Sequence, residues 1–227
     1  MSNIHVLQAS IGNHGFFPIA ERINEEYCKR HNYTFHLHTD RYQQDWPYEL
    51  RTYWVKQWWL NKVIGDCKDG DYLLWLDCDA FVYGQELKIE YELIPRMSKT
   101  ACVMFAADCA EEGARGRGYP KGNAGVFILE VCDWSRMFVT EWWQYALDDP
   151  YQANTASHDQ SKLWTLQDDY PDQIQVLQDY YVMNGRQGYF IRHLAAMCRL
   201  LTADMMWEYV YRYMPHVKES IPPDPFR

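Results

Sequence analysis

The run Leu73-Leu74-Trp75-Leu76-Asp77-Cys78-Asp79-Ala80-Phe81-Val82 constrains the fold more than any other stretch of the chain. Apolar residues in a run of this length, placed after the turn-like Asp69-Gly70-Asp71, read as a buried central strand of an open sheet, apolar on both faces. Two carboxylates one residue apart then interrupt it. Burying an unpaired charge costs on the order of several kcal/mol, so Asp77 and Asp79 are expected at the strand's carboxyl end, facing a cation, where α/β sheets also place their ligands. The bland alternative is a solvated turn with two ordinary aspartates. Turns usually carry Gly, Asn or Pro, however, and this one runs straight into Ala80-Phe81-Val82.

The flanking segments alternate between strand and helix patterns. Ile4 to Ser10 is a short strand, Ile11 to Gly15 a turn, and the segment from Phe17 to His31 a helix whose buried face carries Ile19, Ala20, Ile23 and Tyr27. Tyr33 to His38 alternates as a second strand. Such an opening forms the nucleotide half of many α/β sheets, with ligands near Ser10 and Asn13, but no Gly-x-Gly-x-x-Gly or P-loop follows. Arg51 to Ile64 reads as a helix that is apolar almost all round, in which Lys56 is either a snorkelling surface lysine or a cation aimed at the cleft. Glu90 to Met97 is a short helix ended near Pro95. Ala101 to Ala107 is a strand that delivers Asp108 to the same rim as Asp77 and Asp79.

Between Cys109 and Gly122 the four glycines and the cations Arg115, Arg117 and Lys121 suggest a flap. Asn123 to Val131 is the next strand, and its small residues at 123 to 125 let a ligand approach the backbone. Asp133 is expected to cap the helix through Trp134, Phe138, Trp142 and Trp143. His158-Asp159-Gln160-Ser161 opens a further helix, with Asp159 near its positive end. Tyr189 to Leu194 is a late strand ending on His193, and a lone histidine there is more often structural than a ligand.

Composition narrows the function classes. A formal net charge of -9 argues against nucleic acid as a partner, since phosphate backbones draw on basic surface. The 10 Trp and 18 Tyr favour stacking surfaces as well as core, as in clefts that bind sugars or bases. Seven cysteines without a Cys-x-x-Cys pair disfavour a disulfide framework or a zinc site and fit a reducing compartment. No stretch is long enough to span a membrane, so the expectation is a soluble, cytoplasmic chain.

Two carboxylates spaced this way on a turning backbone can chelate one hard cation, Mn²⁺ or Mg²⁺, and leave positions open for diphosphate oxygens. Sugar-nucleotide glycosyltransferases and haloacid-dehalogenase-like phosphatases both use Asp-x-Asp. The phosphatase pattern wants Thr or Val where this chain has Phe81, places the motif on the first strand, and needs a later acidic pair at a strand end. Asp168-Asp169 lies instead after a helix. A non-catalytic carbohydrate-binding protein on a transferase fold is the third class.

Taken together, Tyr27-Cys28-x-x-His31-x-Tyr33, the Lys56 helix, Trp75-Leu76-Asp77-Cys78-Asp79-Ala80, Asn123-Ala124-Gly125-Val126-Phe127, Cys132-x-Trp134-Ser135, Asp159-Gln160-Ser161 and Phe190-x-x-His193 resemble one family in their order. That family is the fungal galactosyl- and mannosyltransferases and plant xyloglucan xylosyltransferases, and the resemblance runs from about Ile4 to Arg199. It implies a GT-A fold, α/β, with a Rossmann-like nucleotide half and a mixed, mostly parallel central sheet flanked by helices. It implies Mn²⁺ (or Mg²⁺) held by Asp77, Asp79 and His193, and a UDP-sugar donor, a hexose or deoxyhexose, bound along Asp77-Cys78-Asp79. Strand one, from Gln8 to Ser10, would hold the base, and Lys56 would meet the diphosphate or sugar. Asn123, Ala124 and Gly125 would line the sugar pocket. Asp159 and Gln160 would hold the donor near its anomeric carbon, making them, with Asp79, the catalytic candidates.

The implied acceptor is a glycan or glycoprotein. Retention is favoured, while an inverting route would need a base such as Asp159 or Asp108. Residues 1–110 would form the nucleotide half, 111–200 the donor-sugar and acceptor half, and 201–227 an extension, all in one GT-A domain. Two departures stand out. The plant and fungal relatives carry an amino-terminal anchor and work in the Golgi, whereas this chain starts almost at its first strand, as a cytosolic or viral-type enzyme or a domain of a large algal-virus protein would. Leu194-Ala195-Ala196 also replaces a glycine that the family tends to have after the histidine.

Overall fold

Alternation of apolar side chains sorts the sheet into two packed faces. The computed structural model describes residues 2–11, 16–39, 46–47, 49–108, 121–154, 158–179, 181–185, 187–194, 199–216 and 221. In chain order the elements are β1 (Ile4–Ala9), α1 (Phe17–His31), β2 (Thr34–His38), α2 (Val55–Val63), β3 (Tyr72–Leu76), β4 (Ala80–Val82), α3 (Ile89–Glu92) and β5 (Val103–Ala107). They continue with β6 (Gly122–Glu130), α4 (Asp133–Asp148), α5 (Pro150–Ala153), α6 (His158–Asp169), β7 (Ile174–Leu177), β8 (Ile191–His193) and α7 (Arg199–Tyr213).

Six strands form the main sheet in the order β2-β1-β3-β6-β5-β7. β1 runs parallel to β2 and β3, and β5 parallel to β7, while β6 is antiparallel to both its neighbours. The sheet is thus mixed and mostly parallel, as expected. On one face Leu73, Trp75, Phe127 and Leu129 pack with Phe138 and Trp142 of α4 and Leu163 of α6. On the other, Leu74, Leu76, Val126 and Ile128 pack with Tyr27 of α1 and Phe190. Both faces are covered, which is why these strands read as continuous apolar runs. Each large side chain buried this way stabilises the fold by about 1.5–3 kcal/mol.

The apolar run around the two aspartates divides. β3 stays in the main sheet, whereas Ala80–Val82 leaves it to pair with β8 in a separate two-stranded ribbon. The turn before β3 forms as expected, with Gly70 at φ +83°, a conformation that L side chains rarely adopt. Other boundaries shift. Cys132 rather than Asp133 caps α4, because its side chain accepts the backbone N–H of Ser135 while the Ser135 hydroxyl accepts the Cys132 N–H. The helix expected over 90–97 is a single turn followed by a 3-10 turn at Ile94–Arg96. α7 packs on α1 around Phe81, Met206 and Tyr209. The expected flap falls largely on residues 109–120, and Ala195-Ala196 also lies outside the described residues. Among the described residues, no helix is long and apolar enough to cross a membrane.

Candidate active site

Leaving the sheet at Leu76 is what exposes the two aspartates. The Asp77 N–H still donates to Gly125 O on β6 (2.8 Å), and the chain then turns, closed by Ala80 N donating to Asp77 O (2.9 Å). The antiparallel ribbon sets His193 opposite Ala80, one residue from Asp79, with its Nε2 3.2 Å from Asp79 Oδ1. His193 Nδ1 lies 2.6 Å from Asn184 Oδ1. The Asn184 amide nitrogen is spent on Ala107 O (3.1 Å), so its oxygen faces the ring. That oxygen takes a proton from Nδ1 and leaves Nε2 turned towards the carboxylates.

One ligand atom each from Asp77, Asp79 and His193 lies within 4.8 Å of the others. Two carboxylate oxygens and an imidazole nitrogen are a donor set that suits a divalent cation such as Mn²⁺. Gly125 makes room for the ring, since a Cβ there would stand 2.0 Å from His193 Cε1. The small residue at this position admits the histidine.

Lys56 anchors the charge balance. It is buried, and its Nζ donates to Ala124 O (2.6 Å) and pairs with Asp159 Oδ2 (3.0 Å) and Asp77 Oδ1 (3.2 Å). An ammonium has three hydrogens, and these partners take all of them. Lys56 therefore faces the cleft, but its head is committed to protein acceptors rather than held ready for a diphosphate. Burial works against its charge, yet Asp159 and Asp77 more than offset that and raise its pKa. Burial pushes the Asp77 carboxyl above its ordinary value, although Lys56 and His193 pull the other way. Burial also opposes the Asp79 charge, and there His193 wins and holds the carboxyl below the usual range. His193 itself is raised, because Asp79 outweighs the cost of burying the imidazolium. Three carboxylates thus converge where one lysine and one histidine stand against them, which leaves negative charge that a cation would balance.

The aspartates floor a cleft of about 400 Å³ together with Lys56, Trp75, Cys78 and Asp159. Ala9, Ile11, Phe17, Thr52, Tyr53 and Val55 complete its lining. Beside it, Gln160 spans two elements, its Oε1 accepting from Ala124 N (3.3 Å) and its Nε2 donating to Asp108 Oδ2 (2.7 Å). Asn123 Oδ1 accepts from Gly125 N (2.8 Å). Asp159 also takes Gln57 Nε2 (3.3 Å), and its carbonyl takes Trp142 Nε1 (3.1 Å).

Most of the residues singled out in the sequence therefore gather in one place. Lys56, Asp77, Cys78, Asp79 and Asp159 line the cleft. His193, Asn123, Ala124, Gly125 and Gln160 stand behind them, joined to them directly or through one another by hydrogen bonds or ion pairs. Gln8 and Ser10 do not reach the cleft. Gln8 is fully buried, and its amide is used up behind the turn, where Nε2 donates to Asp77 O (3.2 Å) and Oε1 accepts from Asn24 (3.1 Å). Ser10 is buried at the end of β1, its N–H held by His38 O. The acidic pair that a phosphatase would need is remote in its contacts, since Asp168 is bound by Lys121 (2.6 Å). Tyr53, Thr52 and Asn184 went unmarked in the sequence. Nothing local distinguishes Val182-Met183-Asn184, and only the fold sets that amide beside His193.

The architecture matches solved structures at low sequence identity. A glycosyltransferase involved in the glycosylation of the major capsid of PBCV-1 superposes with a TM-score of 0.71 at 16% identity, over 91% of this chain and 99% of that one. The galactosyltransferase LgtC, in complex with donor and acceptor sugar analogs, gives 0.58 at 14% over 91% and 95%. An active-site mutant of LgtC gives 0.57 at 13% over the same shares. No curated protein matches by sequence. The fold is that of the GT-A glycosyltransferases. More particularly, residues 1–106 match the galactosyl transferase GMA12/MNN10 family, glycosyl transferase family 34, over the half that carries Lys56, Asp77 and Asp79.

Proposed function

We propose that the chain is a metal-dependent transferase that moves a sugar from a nucleoside diphosphate, UDP above all, to a glycan acceptor. The observation that carries this is the convergence of Asp77, Asp79 and the buried His193, with the two aspartates lining a cleft that the end of β1 also lines. In this reading the three side chains hold Mn²⁺ or Mg²⁺, which when bound supplies positive charge against the diphosphate leaving group. The nucleoside lies between Ala9, Ile11 and the Tyr53 ring. The sugar extends past Cys78 towards Asn123 to Gly125, Asp159 and Gln160. Lys56 bridges Asp77 and Asp159, so that the Asp159 side chain is fixed by Lys56 and Gln57 beside the sugar. Residues 1–110 would then supply the nucleotide half, 111–200 the sugar and acceptor half, and 201–227 the extension. That LgtC was crystallised with donor and acceptor sugar analogs supports placing both substrates on this fold.

The test is a panel of UDP-sugars with Mn²⁺, read as UDP release with and without a chelator. Release from at least one donor that stops on chelation is the expected result. No release from any sugar nucleotide, together with sugar binding that ignores Mn²⁺, would assign the chain to carbohydrate recognition instead.

A further inference from the structure

The apolar face of α1 carries one polar intruder. Asn24 sits among Ala20, Ile23 and Tyr27 at 0% exposure, and a buried amide left unpaired there would cost about 1–3 kcal/mol. It is not unpaired. Its Nδ2 donates to Ala80 O (3.1 Å) and to Gln8 Oε1 (3.1 Å), and its Oδ1 accepts from Val82 N (2.9 Å). Ala80 and Val82 belong to β4, whose other edge is paired with β8. The Asn24 amide therefore stands in for a missing strand on the free edge of β4.

Gln8 extends the link. With Asn24 Nδ2 on its Oε1, the Gln8 amide is oriented so that its nitrogen meets Asp77 O (3.2 Å). The same Asp77 carbonyl closes the turn by accepting Ala80 N. Among the described residues, every side-chain hydrogen bond of the two amides ends on the other amide or on the backbone of residues 77–82. Both side chains thus serve this one turn and its strand, from the side away from the cleft.

We infer that Asn24 and Gln8 are positioning residues for the Asp77–Asp79 turn, holding both of its ends from behind so that the two carboxylates are set at their ligating separation before a cation arrives. This rests on the metal reading above. Removing an outer partner of a metal ligand typically weakens binding 10- to 100-fold, because the ligand survives while its orientation is lost.

The test uses the full chain and a Mn²⁺ titration read by electron paramagnetic resonance of the free ion. Gln8→Met and Asn24→Leu should each raise the Mn²⁺ Kd by about 10- to 100-fold at a temperature where circular dichroism shows the variant folded. Ile23→Val, on the same helix face but off the turn, should lower the Tm and leave the Kd unchanged. Should Asn24→Leu fail to fold, Gln8→Met decides alone, since it leaves both Asn24 bonds to β4 in place. A wild-type Kd in folded Gln8→Met overturns the inference while leaving the cation site intact. If the wild-type chain binds no Mn²⁺, the functional reading fails instead. Hydrogen exchange at the Ala80 amide then decides the brace, and at least about tenfold faster exchange in Gln8→Met supports it, whereas an unchanged rate refutes it.

Discussion

The two sides of the cleft floor are held by opposite means. On the β3–β4 side, backbone bonds and buried amides fix the Asp77–Asp79 turn, and the side chains are left crowding one another, with His193 Nε2 3.2 Å from Asp79 and negative charge in excess. On the β6–α6 side, each functional side chain has a partner that matches it. Asp159 has Lys56 and Gln57, and Gln160 is strung between Ala124 N and Asp108. A site held rigid while its charges stay unbalanced suits the capture of a cation. A lip whose side chains are bonded to one another suits the orientation of hydroxyl groups. Stability and ligand affinity should therefore separate across the floor.

Substitution of Lys56, whose ammonium joins the two sides, is expected to have the largest effect. Lys56→Met leaves Asp77 and Asp159 without their cation and should cost about 3–5 kcal/mol in urea unfolding. A loss under about 1 kcal/mol would mean that the two sides are not coupled through it. Next, Asp79→Ala should weaken Mn²⁺ binding by more than about 100-fold, above the range for outer partners. It should lower the Tm less than Lys56→Met does, because it removes only the pair with His193. A marked fall in Tm with metal binding retained would reverse the assignment of roles.

Gly125→Ala should have an intermediate effect. Its Cβ would overlap His193 Cε1 at 2.0 Å, so the ring or strand must move. Overpacking of this kind costs about 1–3 kcal/mol, and displacing the ring should weaken Mn²⁺ about tenfold. Wild-type metal affinity in this variant would show that His193 is not a ligand. Gln160→Leu should change least in metal binding, within about twofold, while kcat/KM falls about tenfold from the loss of one oriented amide, equivalent to about 1.4 kcal/mol. Equal losses in both measurements would merge the two sides into one.

Much of the fold and of the site is legible in the residues themselves. The apolar run broken by Asp77 and Asp79 marks the strand end, because packing offers no reason to end a buried strand on carboxylates. Strand and helix patterns from β1 to α6 follow from periodicity, and the order of motifs brings Asp159 and Gln160 to the same rim. What is not legible depends on contacts distant in sequence. Ala80-Phe81-Val82 is as apolar as Leu73-Leu74-Trp75, so nothing local shows that it leaves the sheet to pair with β8. Lys56 is balanced between surface and cleft by its pattern, and only the two carboxylates that surround it show that its head is buried and bound. Gln8 sits where strand ends meet nucleotides, yet its side chain falls on the inner face of the turn. Asn24 does leave a trace, as a polar residue within the helical stripe of Ala20, Ile23 and Tyr27. Asn184 leaves none.

The central claim is that Asp77, Asp79 and His193 bind a cation that in turn binds the diphosphate, and linkage makes it measurable without knowing the sugar or the acceptor. Isothermal titration of UDP into the protein, with and without saturating Mn²⁺, should show at least about tenfold tighter binding with the metal in the wild type and no such gain in Asp79→Ala, a coupling of about 1.4 kcal/mol. Equal UDP affinity in the presence and absence of Mn²⁺ in the wild-type chain would contradict the account.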